Sequence, residues 1–116
     1  MKKILLTLGF LFLSFFAFSQ KSPCKEDICV VQFNAGWNSA NDVEWVDDLG
    51  DCGTKYIDIA ANPDAATKYE IVVVPTIIIF NGKEVKRFQA DISFAMKATK
   101  EDVQEVIDEI MMENSY

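Results

Sequence analysis

No histidine occurs among the 116 residues. That absence removes every Ser-His-Asp or Cys-His nucleophile pair and every histidine metal site. Basic side chains are also scarce: 11 Lys and Arg stand against 18 Asp and Glu, a formal charge of −7. A nucleic-acid binder needs a basic face, so no nucleic-acid partner is expected. No internal repeat and no low-complexity tract interrupts the chain. Half of the residues are hydrophobic, which is a globular rather than a disordered composition. The length fits one domain.

The apolar residues are unevenly spread. Lys2 and Lys3 precede an uncharged run from Ile4 to Phe18, and Ala17 and Ser19 supply small residues before a cut. This is the pattern of a secretory signal, with cleavage expected after Ser19. The run is about 15 residues, short of the roughly 20 needed to span a bilayer. The alternative is a retained anchor. Cleavage removes Lys2 and Lys3 and leaves 9 basic against 18 acidic residues. No stable membrane insertion is then expected, and the location is periplasmic or secreted. The organisation reads as signal peptide over 1–19, a polar tether over 20–27, and one domain over 28–116.

Within that domain strands and helices alternate. Ile28 to Phe33 is a short β-branched run suited to a buried strand. From Ser39 the apolar residues Ala40, Val43, Val46 and Leu49 recur at a spacing of three, read as a helix that Gly50 ends. Lys55 to Ala60 alternates as a second strand. Pro63 to Tyr69 is a short helix with proline in its first turn. Thr76 to Phe80 is the most apolar strand, and Asn81-Gly82 turns it into Glu84 to Gln89. Thr99 and Asp102 begin a final helix with Val103, Val106, Ile107, Ile110 and Met111 on its apolar face. This order describes an α/β fold.

Val30 to Trp37 (VVQFNAGW) and Tyr56 to Val85, with Val74-Pro75-Thr76 inside it, resemble the thioredoxin family. The first stretch is similar to the strand and tryptophan that lead into the family's active-site helix. The second is similar to its cis-proline and hairpin. The resemblance implies a minimal thioredoxin fold, a four-stranded mixed sheet with two parallel crossovers and then a hairpin, flanked by helices. It also implies that Pro75 is cis and that Val74 offers backbone hydrogen bonds to an extended peptide.

The departures from the family set the functional expectation. Where the family has Cys-x-x-Cys after the tryptophan, this chain has Asn38-Ser39-Ala40-Asn41. The family's buried acid falls on Gln32, which does not ionise. No catalytic residue, cofactor or metal is therefore expected. The expectation is a redox-inert module that binds a peptide or protein at a groove of Trp37, Asn38, Asn41, Val74, Pro75 and Thr76. Two alternatives stand beside it. One is a thiol–disulfide oxidoreductase that uses a displaced cysteine pair. The other is a structural subunit that docks through Ile92, Phe94 and Met96, with an oligomer left open.

Cys24, Cys29 and Cys52 are the only cysteines. They fall at the N-terminal ends of the first two strands, opposite the Trp37 and Pro75 end. An exported setting permits a disulfide and leaves one thiol over. A structural bridge is favoured over a redox role. Cys24–Cys52 is the first choice, with Cys29 as a buried apolar thiol; Cys24–Cys29 and Cys29–Cys52 stay open.

Overall fold

Strand β1 (Ile28–Asn34) is buried along its whole length because it occupies the interior of the sheet. The computed structural model describes residues 21–114; the signal reading over 1–19 lies outside them. Strands β2 (Gly53–Asp58), β3 (Thr76–Asn81) and β4 (Lys83–Gln89) complete one four-stranded sheet in the order β2-β1-β3-β4. Helix α1 spans Pro63–Lys68 and helix α2 spans Lys100–Asn114. Among the described residues no helix is long and apolar enough to cross a membrane.

Side chains alternate across β1 and divide the core in two. Ile28 and Val30, with Ile77 and Ile79 of β3, face Val43, Val46 and Leu49 and the α2 stripe of Val103, Ile107 and Ile110. Cys29, Val31 and Phe33, with Ile78 and Phe80, face Tyr69 on the other side. Each such side chain contributes about 1.5–3 kcal/mol through its burial. The capping box of α2 forms as expected: the Thr99 N–H donates to Asp102 Oδ2 (2.9 Å), and the Asp102 N–H donates to Thr99 Oγ1 (3.2 Å). Gly82 takes φ +81° in the β3–β4 turn, the left-handed conformation that glycine adopts without strain.

The α/β mixed sheet stands, but with one parallel pair rather than two. β1 and β2 are parallel, while β3 is antiparallel to both β1 and β4. Between β2 and β3 the chain makes only the six-residue α1. The chain does not return to the start of the sheet and re-enters from the end it has just left.

The expected helix from Ser39 to Leu49 is also different. Two short 3-10 helices, Gly36–Asn41 and Glu44–Asp48, replace it. Val43 between them is extended, with φ −88° and ψ 98°. Its backbone is held by a side chain: the Val43 N–H donates to Gln32 Oε1 (2.6 Å), and Gln32 Nε2 donates to the Val43 carbonyl (3.0 Å). With both groups engaged by a β1 side chain, Val43 does not join a helical ladder.

The segment expected as a tether lies against the sheet. Lys21 bridges to Lys83, the Ser22 N–H donates to the Gly82 carbonyl (3.0 Å), and Lys55 Nζ reaches the Pro23 carbonyl (3.5 Å). These contacts deliver Cys24 to the start of β1.

Candidate functional site

Two groups of residues sit at opposite ends of β1. At its C-terminal end, Val74–Pro75 is a cis peptide, and Trp37 is 67% exposed. The groove expected there is otherwise occupied by the chain itself. Asn38 is only 6% exposed. Its Nδ2 donates to Asn34 Oδ1 (3.1 Å) and to the Phe94 carbonyl (3.2 Å), while its Oδ1 accepts from Asn41 Nδ2 (2.8 Å). Asn34 Nδ2 in turn donates to the Asn38 carbonyl (3.1 Å) and to Asp42 Oδ1 (2.6 Å). Tyr56 Oη also donates to Asp42 (2.8 Å). Partial burial, then this hydrogen bond and the nearby carboxylates, push the Tyr56 hydroxyl up to about 12.

This end is therefore a closed amide network. The amides of Asn38 and Asn41 are spent on Phe94 and on each other. Val74, Pro75 and Thr76 are buried, and Thr76 Oγ1 donates to the Val73 carbonyl (2.7 Å). Phe94 stands edge-on to Trp37, ring centroids 5.4 Å apart. The expected groove is filled at Asn38, whose amide Phe94 engages while lying on Trp37; Trp37 and Asn41 stay exposed. Of the alternative docking residues, Ile92 and Phe94 are exposed and Met96 is not. Ile92 stands almost free of the protein, Phe94 lies edge-on to Trp37, and Met96 packs against the core layer that holds Val103 and Ile107.

At the N-terminal end of β1, Cys24 and Cys29 form a disulfide, with Cα atoms 6.1 Å apart and a sequence separation of 5. The preferred Cys24–Cys52 pairing is corrected, and alternation along β1 gives the reason. Cys29 points to the Phe33 face, where Cys24 also packs. Cys52 packs on the opposite face, with Ile28 and Val30. The sheet stands between Cys52 and its candidate partners. Cys29 is fully buried, and Cys24 is only half-buried. The Cys24 N–H donates to Ser22 Oγ (3.2 Å), which fixes the approach of the chain.

Sequence reasoning missed Glu26, which lies between the two cysteines. Its carboxylate and both sulfurs lie within 4.8 Å of one another. Gly53, the β2 neighbour of Cys29 in the parallel register, makes room for it. A Cβ on Gly53 would stand 2.5 Å from Glu26 Cδ and 2.7 Å from Oε2, closer than such atoms approach. An acid inside Cys-x-Glu-x-x-Cys was the available signal; the facing glycine was visible only once the register was known. A cleft on the Cys52 side is lined by Glu26, Asp27, Asp51, Cys52, Met111 and Asn114 among others.

Cys52 is the free thiol. Burial first, and then the Asp51 carboxylate, push its thiol up. Fewer thiolates form at a given pH, and the thiolate is the reactive species. Alkylation of the native oxidised protein should therefore modify one thiol, more slowly at pH 8 than a free peptide thiol, and should accelerate as pH rises. Equal rates for protein and peptide would show that neither burial nor Asp51 acts on it.

No family model matches the chain, and no curated protein matches it. Solved structures do. A mutant thioredoxin of Halobacterium salinarum NRC-1 superposes with TM-score 0.57 at 21% identity, over 72% of this chain and 74% of that one. A Schistosoma mansoni thioredoxin superposes with TM-score 0.57 at 22% identity, over 75% and 80%. Thioredoxin-2 of the malaria parasite, described as a component of its protein secretion machinery, superposes with TM-score 0.56 at 20% identity, over 74% and 85%. The expectation of a redox-inert module is overturned here, since a disulfide between two near neighbours is in place on this scaffold. The four-stranded mixed sheet, the cis Val74–Pro75 bond and these superpositions together give the chain a thioredoxin-like fold.

Proposed function

We propose that the protein is a thiol–disulfide oxidoreductase that works through Cys24 and Cys29, at the opposite end of β1 from Trp37. The observation that carries this reading is the unequal burial of the bonded pair: Cys24 is reachable and Cys29 is not. In the reduced protein, the Cys24 thiolate attacks one sulfur of a substrate disulfide. The substrate S–S bond breaks, a substrate thiolate leaves, and a mixed disulfide forms. The Cys29 thiolate then attacks Cys24 Sγ, releases the second substrate thiolate and closes Cys24–Cys29. Two electrons pass to the substrate, and an external dithiol restores the pair. Cys52 takes no part: burial and Asp51 push its thiol up, and it lies on the other face of the sheet.

Glu26 and Asp27, exposed between the two cysteines in the chain, favour a peptide or protein substrate with basic residues beside its cystine. The pattern over Met1–Ser19 supports a periplasmic or secreted location, where such substrates occur. The test is reduction of a disulfide-linked, dye-quenched peptide with a dithiol donor. The purified protein should exceed the uncatalysed rate, and Cys52→Ser should retain that rate. A rate equal to the uncatalysed one, or one abolished by Cys52→Ser, would sink the reading.

A further inference from the structure

We propose that the free edge of β2 docks an extended strand of a partner protein that carries Lys or Arg at every second position. The inference is independent of disulfide exchange, because it involves neither Cys24 nor Cys29. β2 is terminal in the sheet order β2-β1-β3-β4 and pairs with β1 alone among the described residues. Just past β2, the Ile59 N–H donates to the Asn34 carbonyl (2.9 Å). In a parallel ladder such bonds come from alternate residues, so Gly53, Lys55 and Ile57 turn their main chain toward β1. Thr54, Tyr56 and Asp58 turn theirs outward. The Asp58 carbonyl is already taken by the Asn62 N–H (2.9 Å). That leaves the N–H groups of Thr54, Tyr56 and Asp58 and the carbonyls of Thr54 and Tyr56 for an added strand. Thr54 and Tyr56 are both exposed.

The two edges of the sheet are not alike. β4, at the opposite edge, carries Lys83, Lys86 and Arg87, has a register shift beside it between Ile79 and Phe80, and meets Lys21 at Lys83. Lysines and bulges keep an edge from pairing. β2 follows β1 from Cys29↔Gly53 to Asn34↔Asp58 without a shift. Its one lysine, Lys55, reaches the Pro23 carbonyl (3.5 Å).

Charge selects the occupant. Thr54 Oγ1 donates to Asp47 Oδ1 (3.4 Å), and Tyr56 Oη donates to Asp42 Oδ1 (2.8 Å), so both carboxylates stand beside the outward-turned residues on one face. Asp58 shares that face by alternation. Neither of the ion pairs Arg87–Glu84 and Lys97–Asp91 involves these acids. Residues of an added strand opposite Thr54, Tyr56 and Asp58 fall on the same face, which sets every second side chain against this acidic row. The residues between them fall on the face of Lys55 and Ile57, where a β-branched side chain packs on Ile57. A second copy of β2 does not suit the edge. Antiparallel pairing about Tyr56 would put Asp58 opposite Thr54 and bring two acidic rows together.

The probe is a capped peptide of alternating Val and Lys, without cystine, added to the purified oxidised protein and followed by hydrogen exchange at single amides. One peptide per chain should bind, slow exchange at Thr54 and Tyr56, and leave Lys55 and Ile57, already bonded to β1, unchanged. The same peptide N-methylated at every amide keeps its charge and should not bind, nor should a peptide of alternating Val and Glu. Asp47→Asn should weaken binding by up to about fivefold, the scale of one cross-strand charge pair. Thr54→Pro removes an outward N–H without touching the β1 ladder and should lose binding. Binding kept by the N-methylated peptide would reduce the contact to charge alone and overturn the proposal. Protection along Lys83–Gln89 instead would place the strand on β4 and overturn it. No binding, or a dimer of the protein alone with Thr54 and Tyr56 protected, would also overturn it, and each of these outcomes leaves the exchange reading intact.

Discussion

Cys24→Ser is expected to lower the rate of disulfide exchange to the uncatalysed rate and to lower the stability of the oxidised protein by about 2 kcal/mol. The two effects have separate causes. Cys24 is the sulfur that an incoming disulfide can reach, since Cys29 is wholly buried; without it no mixed disulfide forms and Cys29 has nothing to resolve. The stability loss comes from the unfolded chain, where the bridge closes a loop across a sequence separation of only 5. Loops this short give about 2 kcal/mol, the low end of disulfide effects. Denaturant melts of oxidised and reduced wild type check the second figure, because reduction should cost the same amount. The pairing separates two roles. A purely structural bridge predicts the melt difference with no exchange activity in the wild type. An exchanging pair predicts both, and Cys24→Ser removes both together.

The core strands were legible because their side chains carry the pattern themselves. The β-branched run from Ile28 and the run Thr76 to Phe80 are apolar on both faces, as interior strands must be. Asn81-Gly82 marks its turn, and Thr99 with Asp102 marks the start of α2. The segment from Ser39 reads as one α-helix although a contrary signal is present. Apolar residues at a strict spacing of three follow the 3-10 period rather than the α period. The break at Val43 was not legible at all, because its cause, Gln32, lies 11 residues away.

The sites divide in the same way. The sequence pattern of Trp37 and Val74-Pro75-Thr76 located one end of the sheet correctly, but not the 92–96 segment that fills it at Asn38. Phe94 reaches Asn38 across a separation of 56 residues. For the cysteines, alternation places Cys29 on the Phe33 face. Cys52 precedes β2, so no alternation assigns its face, and only the two core layers decide among the pairings. Glu26, ahead of β1, is brought against Gly53 of β2 by the β1–β2 register, which the sequence does not display.

Gln32→Met is expected to destabilise the protein by about 3 kcal/mol. The side chains are close in volume, so the change removes hydrogen bonds without opening a large cavity. Gln32 is 5% exposed, and its amide is paired on both sides, with the Val43 N–H at 2.6 Å and the Val43 carbonyl at 3.0 Å. Methionine leaves that donor and that acceptor buried and unpaired, at about 1–3 kcal/mol each, with a partial offset from its own apolar burial. A domain of this size should lose roughly 4–8 °C of Tm per kcal/mol. Gln32→Glu gives the sharper test. A protonated carboxyl both accepts from the N–H and donates to the carbonyl, as the amide does. An ionised one sets negative charge against the Val43 carbonyl oxygen. The folded-state pKa of the introduced acid is then raised above its unfolded value of about 4.3. The hydrogen bond's stability is fully present below that value and is lost as pH rises through the folded pKa. Gln32→Glu should therefore approach wild type at pH 4 and fall toward Gln32→Met at neutral pH, read as thermal melts across that range. A flat difference between Gln32→Glu and wild type would show that this amide does not hold Val43 out of the helix. Exchange at Cys24 should survive in both variants under conditions where they fold, since Gln32 packs on the Val43 face and the disulfide lies on the other.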